Sequence, residues 1–166
     1  NVKFKHKNTI MYCDSAHHFN KKEQINAYGK IKIIQKDSLT ISAKKLIYYG
    51  EDKIANLSEN VILKDKYMSL YTEYLSYNLN SNIASFPNYA KIIDNEKKIT
   101  SKKGKYKANL YNYIFTDSVT ISGENYNIIT ENMHYNTNTK IASFFGPSNI
   151  KSKNKNIYCE NGWYNT

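Results

Sequence analysis

The chain has 166 residues, enough for one domain with a sizeable core, and its 40% hydrophobic and 14% aromatic content excludes a disordered chain. The formal net charge is +10, but every one of the 24 basic residues is lysine. Without arginine's planar fork no dedicated nucleic-acid surface is expected, no apolar run approaches a membrane-spanning length, and no signal peptide is present in the sequence.

In chain order, Val2 and Phe4 alternate with Lys3 and Lys5 in a strand with one apolar face. Residues 11–19 prefigure 99–106 and 157–164, and residues 24–34 read as a strand pair broken near Gly29. From residue 39 the grammar becomes regular. Leu39, Ile41 and Ala43 alternate with Thr40 and Ser42, and the parity then shifts at Lys44–Lys45, as a bulge or corner requires. Leu46 and Tyr48 point inward beyond it, and residues 50–53 form a turn. Ala55 and Leu57, a break at 58–60, then Val61 and Leu63 follow, with a second turn at 64–66. This predicts about three short strands per unit. In the third unit the asparagine-rich stretch 78–82 replaces the glycine turn, and Pro87 marks a strand end. Gly104 and Met133 stand where Leu46 and Leu75 stood.

These units repeat every 29 residues. Phe19, Tyr48, Tyr77, Tyr106, Tyr135 and Tyr164 form one column. Leu57, Phe86, Phe115 and Phe144 form a second; Leu63, Ile92, Ile121 and Ile150 a third; Ile41, Leu70, Ile99, Ile128 and Ile157 a fourth. A fixed period of this size marks stacked units that share one core. Nothing recurs at helical spacing, so the reading is all-β, a single domain over 1–166 and a fragment of a longer repeat chain. The predicted interior comprises Ile41, Tyr48, Leu57, Leu63, Leu70, Tyr77, Phe86, Ile92, Ile99, Tyr106, Phe115, Ile121, Ile128, Tyr135, Phe144 and Ile150. If the walls of such a stack close, these residues are core. If they splay, they line an elongated apolar groove suited to aliphatic chains. Periodicity leaves both open.

Little else carries chemistry. His17 and His18 point to opposite faces of a strand and have no companion pair at zinc spacing. No nucleophile elbow, phosphate loop or dinucleotide fingerprint is present. Asp14, Glu73, Glu131 and Glu160 recur at similar repeat positions and read as a solvated ladder. Cys13 and Cys159 lie in the first and last units, too far apart to pair. Neither catalysis nor a cofactor is expected.

Residues 11–16 (MYCDSA), 27–78, 100–106 (TSKKGKY) and 141–150 (IASFFGPSNI) resemble the OstA-like family, the LptA-type periplasmic proteins of lipopolysaccharide export. The family's Gly-Asn-Val step appears here as Glu59-Asn60-Val61 and Asp117-Ser118-Val119. The resemblance implies an antiparallel β-jelly roll, V-shaped in section, whose interior carries the acyl chains of lipid A. It also implies a place in a periplasmic bridge of Lpt proteins or of copies joined head to tail, and no enzymatic activity. The sixteen interior residues would then be the lipid-binding surface. Two other readings compete: a structural or adhesive repeat protein with a closed core that binds protein, and a polyanion binder driven by the net charge.

Overall fold

The computed structural model describes residues 2–6, 8–35, 39–94 and 97–165. Fifteen antiparallel strands follow one another: β1 (Val2–His6), β2 (Thr9–Cys13), β3 (Ser15–Phe19), β4 (Gln24–Gln35), β5 (Leu39–Tyr49), β6 (Ile54–Lys64), β7 (Ser69–Asn78), β8 (Ile83–Phe86), β9 (Ala90–Asp94), β10 (Lys97–Ser101), β11 (Lys103–Lys107), β12 (Asn112–Ser122), β13 (Tyr126–Asn136), β14 (Ile141–Ser152) and β15 (Lys155–Asn165). Two single-turn 3-10 helices, at Asn20–Lys22 and Ala108–Leu110, are the only helical elements among the described residues. The architecture is an antiparallel β-jelly roll.

The long strands are bent. In β4, β5, β6, β12, β13 and β14 the pairing register shifts near the middle, for example between Ser42 and Lys45 and between Ser58 and Val61. One half of each strand pairs in one half-sheet, the other half in a second that folds back to face it. At the β8–β9 and β10–β11 steps the same corner interrupts the strand altogether. The expected unit of about three short strands is therefore two long strands with a corner in each. A sequence window sees a parity change as the end of a strand, whereas the backbone continues through it.

Left-handed residues turn several of these corners: Gly29 and Lys30, Glu59 and Asn60, Asp117 and Ser118, and Gly146, all with φ between 43° and 92°. Glycine suits such a position, asparagine and aspartate tolerate it, and Glu59 is the costlier occupant. Lysines face both acidic corner residues, Lys45 Nζ at 2.6 Å from Glu59 and Lys102 Nζ at 3.2 Å from Asp117. Both pairs are solvent-exposed and contribute little energy.

Register aligns the sequence columns into rows. In the first half-sheet, tyrosine and alanine alternate across the strands: Tyr48 opposite Ala55, Ala55 opposite Tyr77, Tyr77 opposite Ala84, Ala84 opposite Tyr106. Tyr113 then replaces the expected alanine, between Tyr106 and Tyr135, and Ala142 resumes the pattern. A neighbouring row compensates. Gly104 lies between Phe86 and Phe115, and a Cβ there would come within 2.5 Å of the Phe86 ring. In the second half-sheet a row runs Ile33, Ile41, Leu63, Leu70, Ile92, Ile99, Ile121, Ile128 and Ile150.

Beside the corner a third row is narrow: Ala43, Val61, Thr72, Ala90, Ser101, Val119, Thr130 and Ser148, all buried. Small side chains fit where the half-sheets meet. The hydroxyls donate to backbone carbonyls at the corners: Thr72 to Tyr89 O (3.0 Å), Ser101 to Lys103 O (2.7 Å, with Thr116 O 3.1 Å away) and Ser148 to Gly146 O (2.8 Å).

Phe115 is fully buried in the closed part of the interior, stacked on Tyr113 at 5.5 Å and tilted against Phe86 at 6.2 Å. Phe115→Ala should lower stability by about 3–5 kcal/mol, read from denaturant midpoints at unchanged slope.

Candidate functional site

The half-sheets also meet at their free edges, and tyrosine closes that seam. The hydroxyl of Tyr77 donates to Gln35 Oε1, that of Tyr106 to Asp65 Oδ2, and that of Tyr135 to Asp94 Oδ2 at 2.8 Å. In each pair the acceptor lies about one and a half repeats upstream, on the facing half-sheet or its turn. Further bonds brace each pair. Gln35 Nε2 donates to Asn82 Oδ1 at 2.8 Å. Lys140 Nζ lies 2.8 Å from the carboxylate of Asp94, which is 2% exposed. Asp65 accepts from the backbone N–H of Tyr67 and Met68, which fixes its turn. The tyrosine rings thus fill the trough while their hydroxyls clip its lips together. At the next step Gly123 occupies the position that the spacing would assign to an acceptor for Tyr164, whose ring packs 5.4 Å from Tyr126.

Between the clips the interior is solid. Tyr106 and Tyr113 stack at 4.1 Å, and Ile41, Leu57, Leu63, Leu70, Phe86, Ile92, Ile99, Phe115, Ile121, Ile128 and Phe144 are all buried to 1% exposure or less. Tyr113 is enclosed without a hydrogen-bond partner for its hydroxyl, and Asp94 Oδ1 also lacks one.

The N-terminal end differs. There a cavity of about 510 Å³ opens between the half-sheets. Its walls are apolar: Phe4, Met11, Ile25, Ile33, Leu46, Ala55 and Leu79, with Tyr48 and Tyr77 from the tyrosine column. Lys5, Lys53, His18 and Glu23 stand among its polar lining. A separate polar cleft of about 340 Å³, lined by Gln35, Asp65, Asn82 and Tyr106 among others, lies on the far side of the Tyr77 clip.

Of the sixteen predicted interior residues, the structure brings Tyr48 and Tyr77 to the cavity, and Tyr106 to the polar cleft. Ile150 is half-buried against the core, and the remaining twelve are packed core. The interior is thus neither wholly closed nor wholly splayed. The sequence reading missed most of the cavity wall, because Met11, Ile25 and Ile33 belong to the least regular unit. It also missed Gln35, Asp65, Asn82, Asp94 and Lys140. The near-constant separation between each tyrosine and a polar residue upstream, 42, 41 and 41 residues, was the signal that could have found them.

The remaining polar candidates form no centre. His17 and His18 are exposed on β3, and no metal-holding cluster occurs among the described residues. Cys13, buried on β2, and Cys159, on β15, are both free thiols. Burial, then the neighbouring Asp14, raise the Cys13 thiol above its ordinary value. No helix is long and apolar enough to cross a membrane among the described residues.

Fold and cavity together define an all-β protein with an apolar interior open at one end. Residues 1–131 match the family described as OstA-like protein, and the chain belongs to that family. Among solved structures the chain is similar to LptH of Pseudomonas aeruginosa, described as the LptA-homologous periplasmic component of a lipopolysaccharide transport device. That match has 12% identity and a TM-score of 0.33, and covers 82% of this chain and 81% of that one. A search of curated proteins gives no match.

Burial pushes the Tyr77 hydroxyl up from 10.0 to about 12 and raises those of Tyr106 and Tyr113 as well. Each phenol holds its proton more tightly folded than unfolded. The stability this confers is complete below pH 10 and is lost as pH rises from about 10 through 12. Phenolate absorbance should therefore rise together with loss of the β-sheet circular dichroism signal. At neutral pH, Asp94→Ala strips Tyr135 and Lys140 of their shared carboxylate and should cost about 3 kcal/mol in a denaturant titration.

Proposed function

We propose that the protein binds lipopolysaccharide through the acyl chains of lipid A and carries it across the periplasm toward the outer membrane, as one component of a protein bridge. The observation that carries this reading is the apolar cavity of about 510 Å³ at the N-terminal end, within a chain of the OstA-like family. Acyl burial supplies the affinity, at about 0.8 kcal/mol per methylene. Lys5 and Lys53 stand in the cavity's polar lining, and in this reading their ammonium groups meet lipid A phosphates. The role involves no covalent chemistry and no cofactor. Other Lpt bridge proteins, or further copies of this chain arranged head to tail, are the proposed protein partners; an open trough end passes an acyl chain onward only if a neighbour continues it.

The packed stretch from Leu57 to Phe144 favours a second reading, a repeat protein with a closed core that binds protein. Displacement of a fluorescent fatty-acyl probe by lipid A separates the two. The transport reading expects displacement that persists at high salt, because acyl burial is not screened. It also expects Ile25→Glu, which sets a carboxylate in the cavity wall, to weaken lipid A binding at least tenfold. Phe115→Ala, remote from the cavity, should lower stability and leave binding unchanged. No displacement, together with no lipid in native mass spectra, would establish the closed-core reading instead.

A further inference from the structure

We propose that Tyr77 sets the length of acyl chain that the protein accepts, by forming the end wall of the cavity. This rests on the lipid-binding reading above.

Three observations converge on this residue. The first is position. Tyr77 faces the cavity, and its row neighbours lie on either side of it: Ala55 on the cavity wall, and Ala84 fully buried beyond. Where the row offers alanine a chain has room; where it offers the tyrosine ring the space ends. The second is what lies behind the ring. Leu79 lines both the cavity and the polar cleft, while Gln35 and Asn82, which hold the Tyr77 hydroxyl, line the cleft alone. The ring and its clamp therefore partition an apolar compartment of about 510 Å³ from a polar one of about 340 Å³.

The third is the chemistry of the clamp. Tyr106 and Tyr135 donate to carboxylates, but Tyr77 donates to the neutral amide oxygen of Gln35, with Asn82 Oδ1 3.1 Å from its hydroxyl. Hydrogen bonds to a charged acceptor are roughly twice as strong as neutral ones. Tyr77 is therefore the weakest clip of the three and the one that borders the cavity. Gln35 and Asn82 also bond each other, so removing the tyrosine leaves neither amide stranded. Beyond it Tyr113, seated where the row otherwise has alanine, stacks on Tyr106 and fills the trough a second time. The wall at Tyr77 can be removed; the aromatic block behind it remains.

The test is a series of saturated fatty acids of increasing length, each displacing a fluorescent fatty-acyl probe from the full chain. With the wild type, affinity should rise about fourfold per added methylene and then stop rising once the chain reaches Tyr77. With Tyr77→Ala the rise should continue over at least two further methylenes before it stops. A plateau at the same length in both proteins, or no plateau in the wild type, would overturn the assignment. A measurement on the wild type alone covers the case in which the variant does not fold. A fatty acid with a diazirine at its methyl end should label Leu46, Ala55 or Tyr77 on irradiation. Label on Phe115, Met133 or Phe144 would place the chain end past the wall and overturn the assignment. If no fatty acid displaces the probe from the wild type, the lipid-binding reading fails, and the length assignment fails with it.

Discussion

The structure depends on satisfying the backbone at a bend. A strand that serves two facing half-sheets must lose ladder hydrogen bonds where it changes direction, and an unpaired buried carbonyl is costly. The row of Thr72, Ser101, Thr130 and Ser148 meets this need from inside the corner, with side chains small enough for the space and hydroxyls that donate to backbone carbonyls there. Left-handed residues, Asp117 and Ser118 among them, reverse the pleat outside it. Once the corners hold, the apolar faces of both half-sheets are turned toward each other and the rows of tyrosine, leucine, phenylalanine and isoleucine follow from register.

The opposite edge faces the reverse problem. There the half-sheets would splay, and hydroxyl-to-acceptor clips hold them together at Tyr77, Tyr106 and Tyr135. The same side chain serves packing and closure, which explains why the column is tyrosine and not phenylalanine. A phenylalanine would fill the trough equally well but leave the half-buried Asp65 and the buried Asp94 at the seam without a donor hydroxyl. Where the clip row gives out, toward the N-terminal end, the interior becomes a cavity. Whether a stretch of this trough is core or compartment is thus decided at its lips more than along its walls.

Much of this was legible in the sequence. The columns through Tyr77, Phe115, Ile121 and Ile128 identified the inward faces, because burial on one face of a strand enforces a strict alternation. The parity shift at Lys44–Lys45 located a corner. Strand length was misjudged, since a bend and an end look alike in alternation. The partners of the tyrosines were not legible from their own unit. Asp65 looks like an ordinary turn residue beside Lys64 and Lys66, and Asp94 like a strand end, until the fold brings residues 41 positions apart together. The compensating pair Gly104 and Tyr113 was half visible: the glycine was noted as a departure from leucine, but its meaning lies in the Phe86 ring above it. The cavity was legible only in Leu46, Tyr48 and Tyr77; its N-terminal wall, Met11, Ile25 and Ile33, lies where the pattern is weakest.

The offset of 41 or 42 residues between each tyrosine and its acceptor also bears on how such a chain can change in size. A gene segment inserted or lost between a tyrosine and its acceptor, about 41 residues upstream, shifts that tyrosine relative to the opposite lip. Only whole units, or multiples of the 29-residue period, restore the pairing. Growth of the molecule is therefore quantised: duplication of a complete unit adds one rung with its own corner and its own clip, while an insertion of any other length must be confined to a turn.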